Sequence, residues 1–371
     1  MKNNINFSSI LPNNWFRFST NLFVAFLNLL FFLLTIFFVT EIYSNKITGE
    51  EIMADKVNII KGSDFYDVNI SEKLFARYVK DFDGTPIIYP IYSSSNKLMT
   101  RSFPMEERNV VSRDHQHHRS FWFTHGKVND TDFWLTDKNQ KNIGKIVHKN
   151  FLKAEVSGGT TAIIVTENDW VSHNGEIICS DVRSFEFGVT GLGNRYIDFE
   201  VEVTAKIKKV TFYDTKEGTF GIRVADLLSI DEAKASAKKS EKNVSTISYI
   251  INADSKLDAD AWGKRSAWVD YVGQFSDGEV AGIAILNHPS SFRYPTYWHV
   301  RTYGLFAANP FGERGFGVRK RQVENAGGNF ELAKDKSFTL RYRIIFHNGD
   351  TKKAAIADEF KEYSHKKFGN L

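Results

Sequence analysis

KIVHKNFLKAEVSGGTTAIIVTENDWVSHNGEIICSDVRSFEFGVTGLGNRYIDFEVEVTAKIKKVTF, residues 145–212, reads as a run of hairpins. Apolar side chains recur at alternate positions over about 145–156, 160–171, 176–188 and 195–212, the period of a strand with one buried face. Gly158-Gly159, His173-Asn174-Gly175 and the loop TGLGN at 190–194 separate these runs. Asn-Gly and Gly-Gly supply the positive φ that tight hairpin turns need. Four consecutive strands joined this way make an antiparallel sheet.

Working outward, the same character continues on both sides. VNIIKGSDFYDVNISEKLFARYVKD (57–81) alternates and ends near an Asp83-Gly84 turn. In TPIIYPIYSSSNKLMTRSFPM (85–105), Pro86, Pro90 and Pro104 argue against a central strand and for an irregular edge. Downstream, 216–228, 262–273, 280–289 and 337–349 have strand character, and Asp277-Gly278 marks a turn. The charged stretch 231–243 has no apolar stripe and reads as a solvent-exposed excursion, helical if ordered. Residues 351–371 suit a short amphipathic C-terminal helix and tail. The expectation is an all-β body over 61–350, a large antiparallel β-sandwich. The 32 Phe tilt the chain toward sheet.

The N-terminus differs. Lys2 and Arg17 precede an apolar run from Leu22 to Val39 interrupted only by Asn28 and Thr35. As a helix, such a run reaches roughly 27 Å, close to the hydrocarbon thickness of a bilayer. Residues 1–40 are therefore expected to form an N-terminal transmembrane or signal helix, either an anchor through residues 22–39 or a cleaved signal peptide. Residues 41–60 follow as a linker. The body is then membrane-anchored or secreted, on the periplasmic or extracellular side. A formal charge of +4 without a dense basic patch argues against nucleic acid as a partner. The single cysteine, Cys179, has no intrachain partner and lies in a strand interior, so a Cys–His nucleophile is not expected.

Chemistry concentrates in RDHQHHRSFWFTHGKVNDTDFW, residues 113–134, which holds four of the ten histidines. Burying so many ionisable groups costs several kcal/mol each unless they are paired, so a plain core strand is a poor reading. A pocket wall is a better one. If 118–125 is extended, His118, Ser120, Trp122 and Thr124 share one face, and Arg119, Phe121, Phe123 and His125 the other. His118 and His125, with His288 and Glu217, are candidates for proton transfer, since imidazole titrates near neutrality. His115 and His117 have the H-x-H spacing of a metal-ligand pair, with His288, Glu217 or Asp114 as a third ligand for a divalent metal. The plain alternative is that these imidazoles only hydrogen-bond one another.

Arg101, Arg223, Arg293 and Arg301 are candidates to grip a carboxylate or hydroxyls with their planar forks. Trp122, Trp134, Trp298 and Tyr303 are candidate platforms for sugar rings, with core packing as the alternative for the tryptophans. Asp114, Asn129, Asp132 and Asn309 complete the set of candidate binding residues.

Five ordered motifs carry a resemblance: YPIYSSSNKLMTRSFPM (89–105), DHQHHRSFWFTHGKVNDTDFW (114–134), KEGTFGIR (216–223), WGKRSAWVDY (262–271) and NHPSSFRYPTYWHVRTYGLFAANPFG (287–312). Over about 62–350 the chain resembles the DUF6807 family, whose members often carry the label methane oxygenase PmoA. A methane monooxygenase subunit spans the membrane several times, and one hydrophobic segment does not fit that activity. The family's sequences resemble the galactose-mutarotase-like supersandwich in style. That resemblance implies His118 or His125 and His288 as acid and polarising groups, with Glu217 as base. It implies a carbohydrate-active protein acting on a sugar or uronate as a hydrolase, lyase or epimerase. A non-catalytic glycan-binding module, and a metal-dependent hydrolase or oxygenase built on HQHH, are the alternatives.

Overall fold

The computed structural model describes residues 55–108, 112–137, 139–239, 247–317, 327–369 and 371. One eight-stranded sheet uses β1 (Val57–Lys61), β2 (Phe65–Ile70), β3 (Lys73–Val79), β4 (Ile87–Ile91), β5 (Phe121–His125), β11 (Gly218–Arg223), β15 (Tyr297–Val300) and β16 (Leu305–Asn309). The other uses β6 (Lys145–Ser157), β7 (Thr161–Val171), β8 (Ile177–Val189), β9 (Arg195–Thr204), β12 (Tyr249–Asn252), β13 (Trp268–Gln274), β14 (Val280–Asn287) and β18 (Ser337–Asn348). Their orders are β1-β2-β3-β4-β5-β11-β16-β15 and β12-β13-β14-β18-β9-β8-β7-β6. A small ladder joins β10 (Val210–Phe212) to β17 (Phe330–Leu332). The helices are α1 (Ile230–Lys239) and α2 (Ile356–Tyr363).

The meander of β6 to β9 forms as the hairpin residues require. Gly158 and Gly159 both sit at positive φ, +58° and +75°, where a Cβ would strain the turn. Alternation along β7 and β8 then sends Ile164, Trp170, Phe185 and Phe187 inward. There they meet the inner face of the first sheet. Phe121–Phe199 at 5.3 Å, Phe123–Trp170 at 5.8 Å, Phe75–Phe346 at 5.9 Å and Phe220–Tyr342 at 5.3 Å bridge the two layers. Phenylalanine carries this core because each ring buries 150–250 Å² and tolerates tilted contacts. Arg183 and Asp181 are also buried on that face. They pair at 2.8 Å, and the carboxylate accepts further hydrogen bonds from Asn168 and Trp170. A buried charge pair persists only with such satisfaction.

Three sequence expectations need correction. The run 195–212 is not one strand: β9 ends at Thr204 and Val210–Phe212 joins the separate small ladder. The proline stretch is not an edge, since β4 is fourth of eight strands. Its pairing with β5 covers only Ile87 and Ile88, so the missing N–H of Pro90 costs that ladder nothing. Finally, β1 begins inside the stretch read as a linker. Among the described residues no helix is long and apolar enough to cross a membrane. The Leu22–Val39 run lies outside the described residues.

Candidate functional site

The outer face of the first sheet carries the chemistry. Strand register aligns Trp122 on β5 with Gly221 on β11, Gly221 with Ala307 on β16, and Ala307 with His299 on β15. Two small residues in the middle of that row leave room for an aromatic layer. A Cβ on Gly221 would meet the Trp122 ring at 2.6 Å, so the indole lies directly over the glycine. Trp134 packs against Trp122 at 5.1 Å, and His118 stacks on Trp122 at 5.4 Å.

The loop before β5 is clamped onto this layer by two buried arginines. Arg101 donates from Nη1 to Asp114 Oδ1 at 2.5 Å and from Nη2 to the carbonyls of Asp114 and His115. Arg223 donates from Nη2 to the same carboxylate oxygen at 2.9 Å and from Nη1 to His118 Nδ1 at 3.2 Å. Because guanidinium only donates, His118 Nδ1 holds a lone pair and its proton sits on Nε2. Burial and the neighbouring cations push the His118 imidazole well below its ordinary range, so it is a neutral donor. Burial alone would raise the Asp114 carboxyl, but Arg223, Ser112, His115 and Arg101 together bring it down to about 2.

Around this locked layer lie exposed His115 and Arg301, half-buried His117 and Glu217, and buried His299. His115 takes a left-handed backbone, φ +43°, and Asp114 Oδ2 lies 2.7 Å from its Nδ1. Its ring stacks on Tyr303 at 5.0 Å and on His118 at 4.8 Å. His117 stands edge-on to His118 at 4.5 Å, and burial pushes it down to about 4. Glu217, with a side chain 30% exposed, pairs with Lys216. Its charge acts on His117, His299 and Tyr303, and it helps burial raise the Asp132 carboxyl. His299 donates from Nδ1 to the Lys216 carbonyl at 2.8 Å, which leaves Nε2 as the acceptor. Burial holds it at about 4. Arg301 is exposed and lies over the rings of Trp262 at 5.6 Å and Tyr303 at 5.9 Å. It makes no ion pair or hydrogen bond from its side chain among the described residues.

Several expected residues go elsewhere. His125 shares the inward face of β5 with Phe121 and Phe123 and is fully buried; its Nε2 donates to the Tyr213 carbonyl at 2.8 Å, amid Phe212 and Phe311. His288 belongs to the other sheet, where it packs on Tyr363 and Phe368 beside α2. Neither reaches the His118 cluster. Trp298 faces the core and donates to the Ser266 carbonyl. Trp122 and Trp134 are wholly buried and support the layer rather than offering a face to a ring.

Arg101 and Arg223 are fully engaged with the loop. Arg293 donates to the carbonyls of Pro310, Gly328 and Asn329. Asn129 accepts from Thr211 N–H, and Asn309 joins the Thr215 carbonyl to Phe311 N–H. Asp132 accepts from the N–H groups of Trp134 and Leu135. The metal reading finds no ligand set. His115 and His117 lie edge to face at 5.7 Å, and no group of three donors suits a metal among the described residues.

Sequence reasoning missed His299, Lys216 and Trp262. The signal was present for the first: if Trp298 is core, its neighbour on β15 must face outward. Two cavities lie apart from the imidazoles. One of about 550 Å³ borders Tyr92, Lys97, Arg101 and Asp226. Another of about 460 Å³ borders Glu186, Asp198, Glu200 and Phe368.

Fold and site define a class: a two-sheet antiparallel sandwich with an imidazole-, carboxylate- and arginine-bearing outer face. The chain belongs to the DUF6807 family, described as a family of unknown function, whose match covers residues 66–361. No curated protein matches it. Among solved structures, it is similar to a beta-arabinopyranosidase with 11% identity and a TM-score of 0.29, over 80% of this chain and 39% of that one. A polysaccharide lyase shows 10% identity and a TM-score of 0.28, over 83% and 34%. A galactose mutarotase related enzyme from Lactobacillus acidophilus shows 9% identity and a TM-score of 0.32, over 78% and 97%. The chain thus spans well under half the length of the first two. At such distances these likenesses carry no argument about activity.

Proposed function

We propose that this protein is a carbohydrate-active enzyme that moves protons on a saccharide ring at the outer face of the first sheet. One observation carries the reading. Glu217 is a part-exposed carboxylate next to Lys216, whose carbonyl accepts from His299 Nδ1 at 2.8 Å, and its charge favours the protonated forms of His117 and His299. Hydrolysis, elimination and epimerisation each need one group to take a proton and another to give one. A carboxylate beside neutral imidazoles supplies both roles. Glu217 keeps the part expected of it, and His117 and His299 stand where His125 and His288 were expected. His118 serves as a fixed hydrogen-bond donor. Arg301 and Lys216 bind substrate oxygens, and Tyr303 and Trp262 offer ring faces. The supersandwich kinship and the exported, membrane-tethered setting expected from Leu22–Val39 belong to the same proposal.

The test is turnover of neutral sugars, uronates and short oligosaccharides by the full chain and by Glu217→Gln. Turnover that falls at least ~100-fold in the variant, with ligand still bound, is the expected result. Binding by the parent without turnover points instead to a glycan-binding module. Neither binding nor turnover of any saccharide sinks the reading.

A further inference from the structure

The Asp114–His115 pair stands out from the rest of the cluster. Asp114 Oδ2 lies 2.7 Å from His115 Nδ1, while Oδ1 of the same carboxylate takes Arg101 and Arg223. An ionised carboxylate only accepts, so Nδ1 carries the proton and the Nε2 lone pair is free. The two arginines are 1% exposed at their side chains, whereas the His115 side chain is 40% exposed. A rigid buried clamp therefore ends in an imidazole open to solvent. The His115 backbone lies at φ +43°, a region a residue other than glycine or asparagine rarely adopts without a compensating reason. Stacking on Tyr303 and His118 holds the ring plane within 6° of both. Arg301 lies over both Tyr303 and Trp262, Trp262 packs on His299, and His299 donates to the Lys216 carbonyl next to Glu217, so the pair and the carboxylate share one face.

We propose that His115 is a catalytic proton-transfer group of this site and that Asp114, held by Arg101 and Arg223, is its positioning residue. This rests on the saccharide-enzyme reading above. Nε2 takes a proton from a sugar hydroxyl, whose oxygen keeps the bonding pair. The resulting imidazolium is paired with the Asp114 carboxylate. The bonding pair kept by the hydroxyl oxygen forms a C=O bond to its carbon as the bond from this carbon to the ring oxygen breaks, and the same proton passes from Nε2 to the ring oxygen, which restores the neutral imidazole.

His115→Asn suits the test because asparagine tolerates the left-handed backbone. With a substrate turned over by the parent, kcat is expected to fall ~100-fold or more with KM little changed. Added imidazole should restore part of the rate, which a purely structural role does not allow. Full kcat in His115→Asn while Glu217→Gln is inactive overturns this proposal and leaves the function standing. A second arm needs no substrate: carbethoxylation at pH 8, read by peptide mass spectrometry on the full chain. His115 should react several-fold faster than the exposed His173, and Asp114→Asn should remove that advantage. Equal rates for His115 and His173 overturn the proposal even if no saccharide is ever turned over.

Discussion

Replacing Asp114 by Asn removes the only negative charge that Arg101 and Arg223 share through side-chain hydrogen bonds among the described residues. Both guanidiniums are 1% exposed, so they have no water to turn to. Breaking a buried pair by deleting one partner costs about 3–5 kcal/mol. The amide oxygen of Asn keeps one acceptor in place, and ~2–4 kcal/mol is the expected loss at pH 7. The pH dependence provides a second signature. The Asp114 carboxyl is depressed from 3.8 to about 2, and the stability this gives is present above the unfolded value and lost as pH falls through about 2. That drop corresponds to roughly 2.5 kcal/mol. Solvent screening at a side chain 37% exposed reduces it to about 1–2 kcal/mol.

Urea unfolding of the parent and Asp114→Asn at pH 7, 4 and 2.5 reads both quantities. The gap between the two proteins should be widest at pH 7 and narrow toward pH 2.5. A variant within ~0.5 kcal/mol of the parent at pH 7, or a gap that widens on acidification, refutes the clamp.

Two further outcomes bear on the same face. Gly221→Ala places a Cβ 2.6 Å from the Trp122 ring, which Trp134 and His118 hold in place; the overpacking should cost ~1–3 kcal/mol in urea unfolding, and an unchanged midpoint contradicts the layered packing. Arg301→Gln should weaken binding of a carboxylated sugar about tenfold while leaving its neutral counterpart within about twofold, as read by calorimetry, because a planar fork pairs with a carboxylate and gains little from a hydroxyl.

The meander was legible because period-two alternation and glycine turns are local signals. Gly158-Gly159 announces a hairpin wherever the chain goes afterwards. Alternation grouped His125 with Phe121 and Phe123 on one strand face, but His118 lies ahead of β5, which begins at Phe121 after the left-handed Ser120, so its direction was not set by strand alternation. Pro90 misled because the rule on prolines concerns ladder hydrogen bonds, and β4 pairs with β5 only ahead of that residue. Trp298 and His299 show the limit of reading residue types: a tryptophan suits a sugar platform and a core equally well, and only the facing strand decides which.

What the sequence by itself determined is the antiparallel β body, the family, and a histidine- and arginine-rich wall after residue 112, because these depend on neighbours in the chain. Which arginines are engaged and which histidines share a face with Glu217 depended on strands more than eighty residues apart lying side by side. His288 shares its imidazole chemistry with His299 eleven residues on, yet the first sits beside α2 and the second beside the Lys216 carbonyl. Tertiary structure alone made that choice, because β14 and β15 belong to different sheets.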